Sequence, residues 1–210
     1  MALIDLIADE RERVADFAAQ LSTDDLAAQS LCEAWTVRDV LGHLLMPLVT
    51  PMPRVVLAMA RHRFDFNKAS IGLSRRVGER PLDDLVAGLR EHARDEFTPP
   101  GLPLDAPPTD LLVHGQDMAR PIGRELDPPV GSVLIGLDFI TGPKGVKAFP
   151  VADLQGYRMV ATDGDWARGD GPEISGRALD LLLCLTGRSE PLSELAGRGV
   201  AVLAQRLDGA

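Results

Sequence analysis

The stretch WTVRDVLGHLL, residues 35–45, decides the fold of this chain. Thr36 is suited to be a helix N-cap, and Asp39 follows three residues later, where its carboxylate reaches back to the cap in a capping box. Apolar side chains then recur at helical spacing, and His43 lies among them. The stretch therefore predicts a largely buried helix that carries a histidine.

Helical periodicity extends on both sides of this stretch. Further helices are predicted at about residues 1–21, 54–64, 82–96, 110–120 and 130–140, with shorter helical segments at 23–30 and 69–77. Thr109 is the predicted N-cap of the 110–120 helix. Pro47, Pro51 and Pro53 are predicted to interrupt or restart the helix that begins at Thr36. A proline- and glycine-rich break is predicted at 98–103. The first 148 residues are therefore expected to form a helical bundle.

The pattern changes after residue 148. Residues 154–162 alternate as in a strand, and residues 173–175 are expected to form a short returning strand. Helices are predicted at 177–185 and 192–207, the second weakened by Gly197 and Gly199. The predicted fold class is mainly α, with a bundle at 1–148 followed by a small α/β region at 149–210.

Charge and composition exclude several classes of partner. The chain has 210 residues, a formal net charge of −9 and only 4% aromatic residues. An acidic surface repels phosphate backbones and anionic lipid, and few aromatic rings are available for stacking on bases. We therefore expect no nucleic-acid partner and no membrane partner.

The first residues and the cysteines bear on localisation. Asp5, Asp9 and Glu10 interrupt the apolar residues at the start of the sequence, which has no basic region, so no signal peptide is predicted. Cys32 and Cys184 lie far apart without a CxxC pattern and are expected to be small buried apolar residues. A cytoplasmic localisation fits these observations.

Two of the four histidines lie in apolar surroundings, which is unusual for this side chain. They are His43 and His114, whereas His62 and His92 lie among charged residues and are expected at the surface. Asp110 precedes His114 by four residues, so both side chains project from one helix face and could chelate a divalent metal. His43, from another helix, would complete a three-ligand site with an open coordination position.

A structural alternative stays open at this point. Asp39 also precedes His43 by four residues, and it has a role in the capping box. Asp110 could be an acid in the first turn of a helix that Thr109 caps. On this alternative, His43 and His114 are core histidines that bond to Asp39 and Asp110, and no metal is involved.

Two motifs carry a resemblance to a known family. EAWTVRDVLGHL at 33–44 and DLLVHGQDMARPIG at 110–123 resemble two signatures of the mycothiol-dependent maleylpyruvate isomerase family, part of the DinB-like superfamily of metal-binding four-helix bundles. Parts of the tail between 158 and 188 are similar too. The resemblance implies a DinB-like four-helix bundle and a divalent metal, most often zinc, on His43, Asp110 and His114. The acid is often Glu in these isomerases, and Asp is one methylene shorter.

The resemblance also implies an activity. Mycothiol, a low-molecular-weight thiol of actinobacteria, would bind as a metal-bound thiolate and attack a small electrophile, giving either isomerisation or transfer of the sulfur to the substrate. Asp117, one turn beyond His114, could orient a ligand or the substrate. The alternative function is a non-catalytic metal- or ligand-binding protein. Either a monomer or a homodimer is compatible with the sequence.

Overall fold

The computed structural model describes residues 2–98 and 103–209. Most of these residues are helical, and a small sheet lies between the ninth and tenth helices. The helices are α1 (Leu3–Ala18), α2 (Thr23–Ala27), α3 (Val37–Val49), α4 (Met52–Arg61), α5 (Phe66–Gly78), α6 (Leu82–Glu91), α7 (Ala106–Ala119), α8 (Val130–Ile140), α9 (Gly145–Ala148), α10 (Ala178–Leu185) and α11 (Val200–Asp208), and the strands are β1 (Arg158–Ala161), β2 (Ala167–Gly169) and β3 (Glu173–Gly176). The predicted fold class is confirmed.

The chain forms two compact units. The first comprises the described residues within Met1–Pro99 and Asp110–Asp127, and the second those within Pro100–Thr109 and Pro128–Ala210. The sequence placed the division after residue 148, whereas the structure groups α8 and α9 with the C-terminal strands and helices. The physical reason is that the apolar helix α8 packs against α10. Most of the predicted 98–103 break lies outside the described residues.

The first unit is a helical bundle with one apolar core. Helices α1, α3, α6 and α7 all contribute to this core, and α5 packs along α3. Its most buried side chains include Val14, Leu41, Leu45, Leu89 and Met118, each at most 1% exposed. Burial of a side chain of this kind contributes about 1.5–3 kcal/mol relative to leaving it in water. Side chains of α3 and α7 therefore pack in one common core.

Helix α3 begins at the predicted capping box. The backbone N–H of Asp39 donates to the Thr36 hydroxyl at 3.2 Å, and the backbone N–H of Thr36 donates to the Asp39 carboxylate at 3.1 Å. The predicted restart at the following prolines is observed, because α3 ends at Val49 and α4 begins at Met52 with Pro51 as its N-cap. Pro47 itself does not interrupt the helix, which continues through it. Pro47 lies in the last turn, where the helix loses one backbone hydrogen bond shortly before its end.

Helix α7 begins earlier than predicted. It begins at Ala106, so Pro107 and Pro108 occupy its first turn, where a backbone N–H has no partner within the helix. Thr109 is not the N-cap, and its hydroxyl donates instead to the carbonyl of Asp105 at 2.8 Å. Asp110 therefore lies in the second turn, and the interpretation of this acid as a first-turn residue is wrong.

The second unit contains a three-stranded sheet in the order β2-β1-β3. Strand β2 pairs antiparallel with β1, and β3 pairs parallel with it, with Met159 opposite Ile174. The sequence predicted β1 and β3 but missed β2, a three-residue strand between two turns. The last helix begins only at Val200, beyond the predicted weak point at Gly197, whose φ is +115°.

Within 2–98 and 103–209, we find no helix with the length and apolar character that a membrane crossing needs.

Candidate metal centre

Helices α3 and α7 bring the three predicted metal ligands together. Nε2 of His43 lies 3.5 Å from Oδ2 of Asp110, and Nε2 of His114 lies 3.4 Å from Oδ1 of the same carboxylate. The two imidazole rings are 4.8 Å apart between centroids and meet edge to face. The ligand atoms of the three residues all lie within 4.8 Å of one another. Two nitrogens and a carboxylate thus face a common point.

This arrangement fits a small divalent ion. Zinc binds imidazole nitrogen and carboxylate oxygen at about 2.0–2.2 Å, which puts neighbouring tetrahedral ligands about 3.3 Å apart. The separations of 3.5 and 3.4 Å between nitrogen and oxygen atoms are close to that value. The shorter Asp side chain therefore reaches both histidines without an intervening water.

The site is accessible from one side. The side chain of Asp110 is 50% exposed, whereas those of His43 and His114 are 17% and 12% exposed. A metal held here would keep the two histidines in protein surroundings and the carboxylate toward solvent. The half-exposed carboxylate marks the direction from which a small molecule can approach.

A buried carboxylate supports His114 from behind. Nδ1 of His114 lies 2.8 Å from Oδ2 of Asp117, whose side chain is fully buried. An ionised carboxylate accepts hydrogen bonds only, so Nδ1 of His114 donates and Nε2 faces the metal position. Carboxylate–histidine pairs of this kind fix the orientation of metal-binding imidazoles.

Cys32 joins the same carboxylate. Its thiol donates to Oδ2 of Asp117 at 3.1 Å, and Sγ lies 3.8 Å from Nδ1 of His114. The cysteine is held by the loop between α2 and α3, where the backbone N–H of Leu31 donates to the carbonyl of Asp117 at 3.1 Å. In the same loop the backbone N–H of Trp35 donates to the carbonyl of Cys32 at 2.9 Å. The loop is therefore tied to α7 at the site.

His43 has its own supporting contacts. The indole of Trp35 stacks on its ring with centroids 4.6 Å apart, and Oγ of the buried Ser74 lies 3.4 Å from its Nδ1. Ser74 reaches this position because Gly42 lets α5 approach α3 closely. A Cβ at Gly42 would lie 2.3 Å from the carbonyl oxygen of Ser74 and 2.6 Å from the backbone nitrogen of Gly78.

The charges in the site are coupled. Desolvation by the surrounding side chains opposes ionisation of the half-exposed Asp110, but the charge of His114 and hydrogen bonds to both histidines outweigh it and hold the pKa of this carboxyl well below its usual range. Burial also opposes protonation of His114, but the charge of Asp110 and hydrogen bonds to Asp110, Asp117 and Cys32 raise the pKa of its imidazole well above 6.5. Without metal, His114 therefore carries a proton near neutral pH.

The sequence anticipated part of this site and missed part of it. His43, Asp110, His114 and Asp117 come together, whereas Asp39 is engaged at the start of α3 and not with His43, so that part of the structural alternative is wrong. The expectation that both cysteines are buried apolar residues holds for Cys184 and is wrong for Cys32. Ser74 was also missed, and no local signal in the sequence indicates it.

Known proteins similar to this chain point to the same family as the two sequence motifs. Residues 7–99 match the family model described as the mycothiol maleylpyruvate isomerase N-terminal domain. This part of the chain is therefore similar to the N-terminal domain of that family. The resemblance stated from the sequence is thereby confirmed. The matched range includes His43 and ends before Asp110 and His114, so the second half of the site rests on the geometry. No curated protein matches the chain.

Two solved structures share the fold. A crystal structure of the mycothiol-dependent maleylpyruvate isomerase is similar with a TM-score of 0.62, and that of a histidine-to-alanine mutant of the enzyme with 0.61. Each is 13% identical in sequence and aligns over 94% of this chain and 93% of the other. This likeness shows that the chain shares the fold of this isomerase over most of its length.

Proposed function

We propose that the chain is a divalent-metal-dependent enzyme that uses mycothiol to act on a small electrophile of the maleylpyruvate type. The observation that carries the proposal is the meeting of His43, Asp110 and His114 at a half-exposed point of the bundle. The family domain at residues 7–99 supports the thiol and the reaction class. The fold shared with the isomerase supports the same conclusion.

The ligand set favours zinc. Two imidazole nitrogens and one carboxylate form a three-ligand set of the kind found in catalytic zinc sites, which keep a further position open. His43, Asp110 and His114 would hold the ion, and its positive charge would lower the pKa of a thiol that binds beside them.

The protein's own side chains prepare this position. Asp117 holds the Nδ1 proton of His114, which leaves Nε2 as the donor atom on the side of Asp110. Trp35 covers His43 by stacking, which restricts rotation of the imidazole and excludes water from one of its faces. Asp110 supplies negative charge that offsets part of the charge of the ion. These groups act together to orient the ligands before any substrate arrives.

The reaction proceeds through the thiol. The mycothiol sulfur adds to one carbon of the electrophile's double bond, which becomes a single bond and rotates. Elimination then restores the double bond in the other geometry and releases the thiol unchanged. An electrophile without this elimination route instead takes up, at the adjacent carbon, the proton that the thiol gave up, and leaves as a sulfur conjugate. Cys32 and Cys184 take no part as nucleophiles in this scheme, since the reactive sulfur arrives on the small molecule.

The test combines metal content with turnover. Purified protein loaded with zinc is expected to hold one ion per chain and to isomerise maleylpyruvate with mycothiol, and a chelator is expected to abolish this turnover. His43→Ala and His114→Ala are expected to lose both metal and activity. His92→Ala is the matched control. Nδ1 of His92 lies 2.6 Å from Oδ2 of Asp95, so it forms a similar pair, but it is not one of the three proposed ligands. This variant is expected to retain both properties.

Two outcomes separate the alternatives. Zinc bound in full without turnover of any electrophile would favour the non-catalytic metal-binding protein. Absence of zinc at saturating concentration in the wild-type protein would contradict the metal site itself. A monomer or homodimer in the cytoplasm remains the prediction for assembly and localisation.

A further inference from the structure

One segment of the first unit exposes large apolar side chains to solvent. Within the described part of the chain, the exposed large apolar residues all fall in this segment: Met52 (66% exposed), Val56 (59%), Leu57 (50%), Phe64 (75%) and Phe66 (62%). Helix α4 has no buried residue at all. We call these five residues the α4 patch. Isolated exposed apolar residues are ordinary, but a contiguous group of them indicates a binding surface.

The turn after α4 holds an aromatic ring outward. Arg63 and Phe64 have φ values of +55° and +65°, and they are the non-glycine residues with positive φ among the described residues. This backbone region is unfavourable for a bulky side chain. The chain thus adopts a strained turn in which Phe64 is exposed rather than one that buries the ring. Such strain, where it occurs, commonly marks a functional surface.

The same segment is basic within an acidic protein. Residues 52–68 contain Arg54, Arg61, Arg63 and Lys68 and a single acid, Asp65, a formal charge of +3 against −9 for the whole chain. All four basic residues are exposed. Asp65 is engaged as the N-cap of α5, where its carboxylate accepts the backbone N–H of Lys68 at 3.1 Å.

We propose that the α4 patch docks on an anionic lipid surface. A helix with exposed apolar side chains, phenylalanines and flanking arginines is the combination that lies in a membrane interface, with the apolar groups inserted and the cations at lipid headgroups. The net charge of the chain predicted no membrane partner. That expectation takes the net charge of the whole surface, whereas charges farther than about 8 Å from the lipid are largely screened at physiological salt.

A second copy of the chain fits the patch less well. In a two-fold symmetric dimer the same patch lies on both subunits, so the +3 segment of one protomer would face the +3 segment of the other. An acidic lipid surface supplies the opposite charge and accepts apolar side chains as well. The inference is independent of the proposed enzyme function, because it uses α4 and the turn after it, not the residues of the metal centre.

Vesicle sedimentation with the full chain tests the proposal. We expect the protein to sediment with vesicles of mixed phosphatidylglycerol and phosphatidylcholine at physiological salt, where the rest of its acidic surface is screened, and to remain in solution with phosphatidylcholine alone. The double variant Phe64→Ser/Phe66→Ser is expected to bind at least about tenfold more weakly, since two exposed rings no longer insert. Unchanged thermal unfolding and zinc content would show that this variant is folded.

A matched pair of charge variants identifies the surface. Arg54→Gln/Arg61→Gln removes two charges from the patch and is expected to weaken binding about tenfold. Arg158→Gln/Arg198→Gln removes two exposed charges from the second unit and is expected to bind like the wild type. Equal weakening by the two pairs would overturn the proposal, because it would mean diffuse attraction without a docking surface.

Two further results would also overturn it. The first is absence of sedimentation with the phosphatidylglycerol vesicles at physiological salt, which would indicate that the patch binds a protein partner instead. The second is a wild-type dimer in sedimentation velocity that Phe64→Ser/Phe66→Ser converts to monomer, which would make the patch a contact between two copies.

Discussion

Nδ1 of His114 lies 2.8 Å from Oδ2 of Asp117, three residues later on α7. The same spacing joins His92 and Asp95 at 2.6 Å, outside the candidate metal centre. The two pairs differ in surroundings, since the carboxylate of Asp117 is fully buried and that of Asp95 is 54% exposed. A buried partner of this kind holds a metal-binding ring in one orientation.

Replacement of Asp117 is therefore expected to weaken metal binding without removing a ligand. Asp117→Asn takes away the charge that fixes the Nδ1 proton of His114, and we expect zinc affinity to fall about 10- to 100-fold. Competition with a chelating dye measures this change. Asp95→Asn is the matched control and should bind zinc like the wild type. Equal affinities for Asp117→Asn and the wild type would contradict the supporting role.

Replacement of Cys32 is expected to lower zinc affinity less than replacement of Asp117, because Cys32 acts only through its hydrogen bond to Asp117. Cys32→Ala removes the thiol that donates to the buried carboxylate at 3.1 Å, and we expect a loss of zinc affinity of about twofold to tenfold. Cys32→Ser keeps a donor and should recover most of this loss. Cys184→Ala is the control from the second unit. If Cys32→Ala holds zinc fully but has no thiol-dependent turnover, the cysteine would belong to the chemistry itself.

The sequence predicted those features of the site that depend only on residues close together in the chain. The capping box of Thr36 and Asp39 is encoded within four residues, and the one-turn spacing of Asp110 and His114 follows from helix geometry. The meeting of these residues with His43 was expected from the resemblance, because spacing alone left the structural alternative open. The start of α7 was misplaced because two prolines that end most helices are also acceptable in a first turn.

The remaining parts of the site depend on long-range packing. Cys32 is separated by 82 residues from His114, and no pattern in the sequence connects them. Its position follows from the loop that is tied to the carbonyl of Asp117. Ser74 faces His43 only because Gly42 permits close helix packing. Strand β2 has three residues, too few for alternation to be recognised.

The close approach of α3 and α5 can be tested at Gly42. Gly42→Ala places a methyl group against the backbone of Ser74 and Gly78, and overpacking of this kind costs about 1–3 kcal/mol. We expect a lower thermal midpoint and weaker zinc binding, because Ser74 must move away from His43. Gly131→Ala in α8 is the control, since its Cβ meets nothing within 4 Å, and it should leave stability unchanged or slightly higher. A Gly42→Ala protein as stable as the wild type would contradict this packing.

The pH dependence of metal binding follows from the raised pKa of His114. Because that pKa lies well above 6.5, the metal-free site holds a proton near neutral pH, which an arriving ion must displace. Zinc affinity is therefore expected to rise with pH, by about tenfold per unit for one proton, and to level off as the pH passes the raised pKa. In the metal-free protein the stabilising charge pair of His114 and Asp110 is complete below about pH 6.5 and is lost as the pH rises through that pKa.

Calorimetry in buffers of different ionisation enthalpy measures the protons released on zinc binding, and dye competition between about pH 6 and 8 measures the slope. Asp117→Asn should move the rise in affinity to lower pH, because the hydrogen bond from His114 to that carboxylate contributes to the raised pKa. Zinc affinity that is constant over this range would mean that His114 is already neutral in the metal-free site, and that its carboxylate neighbours do not hold the proton.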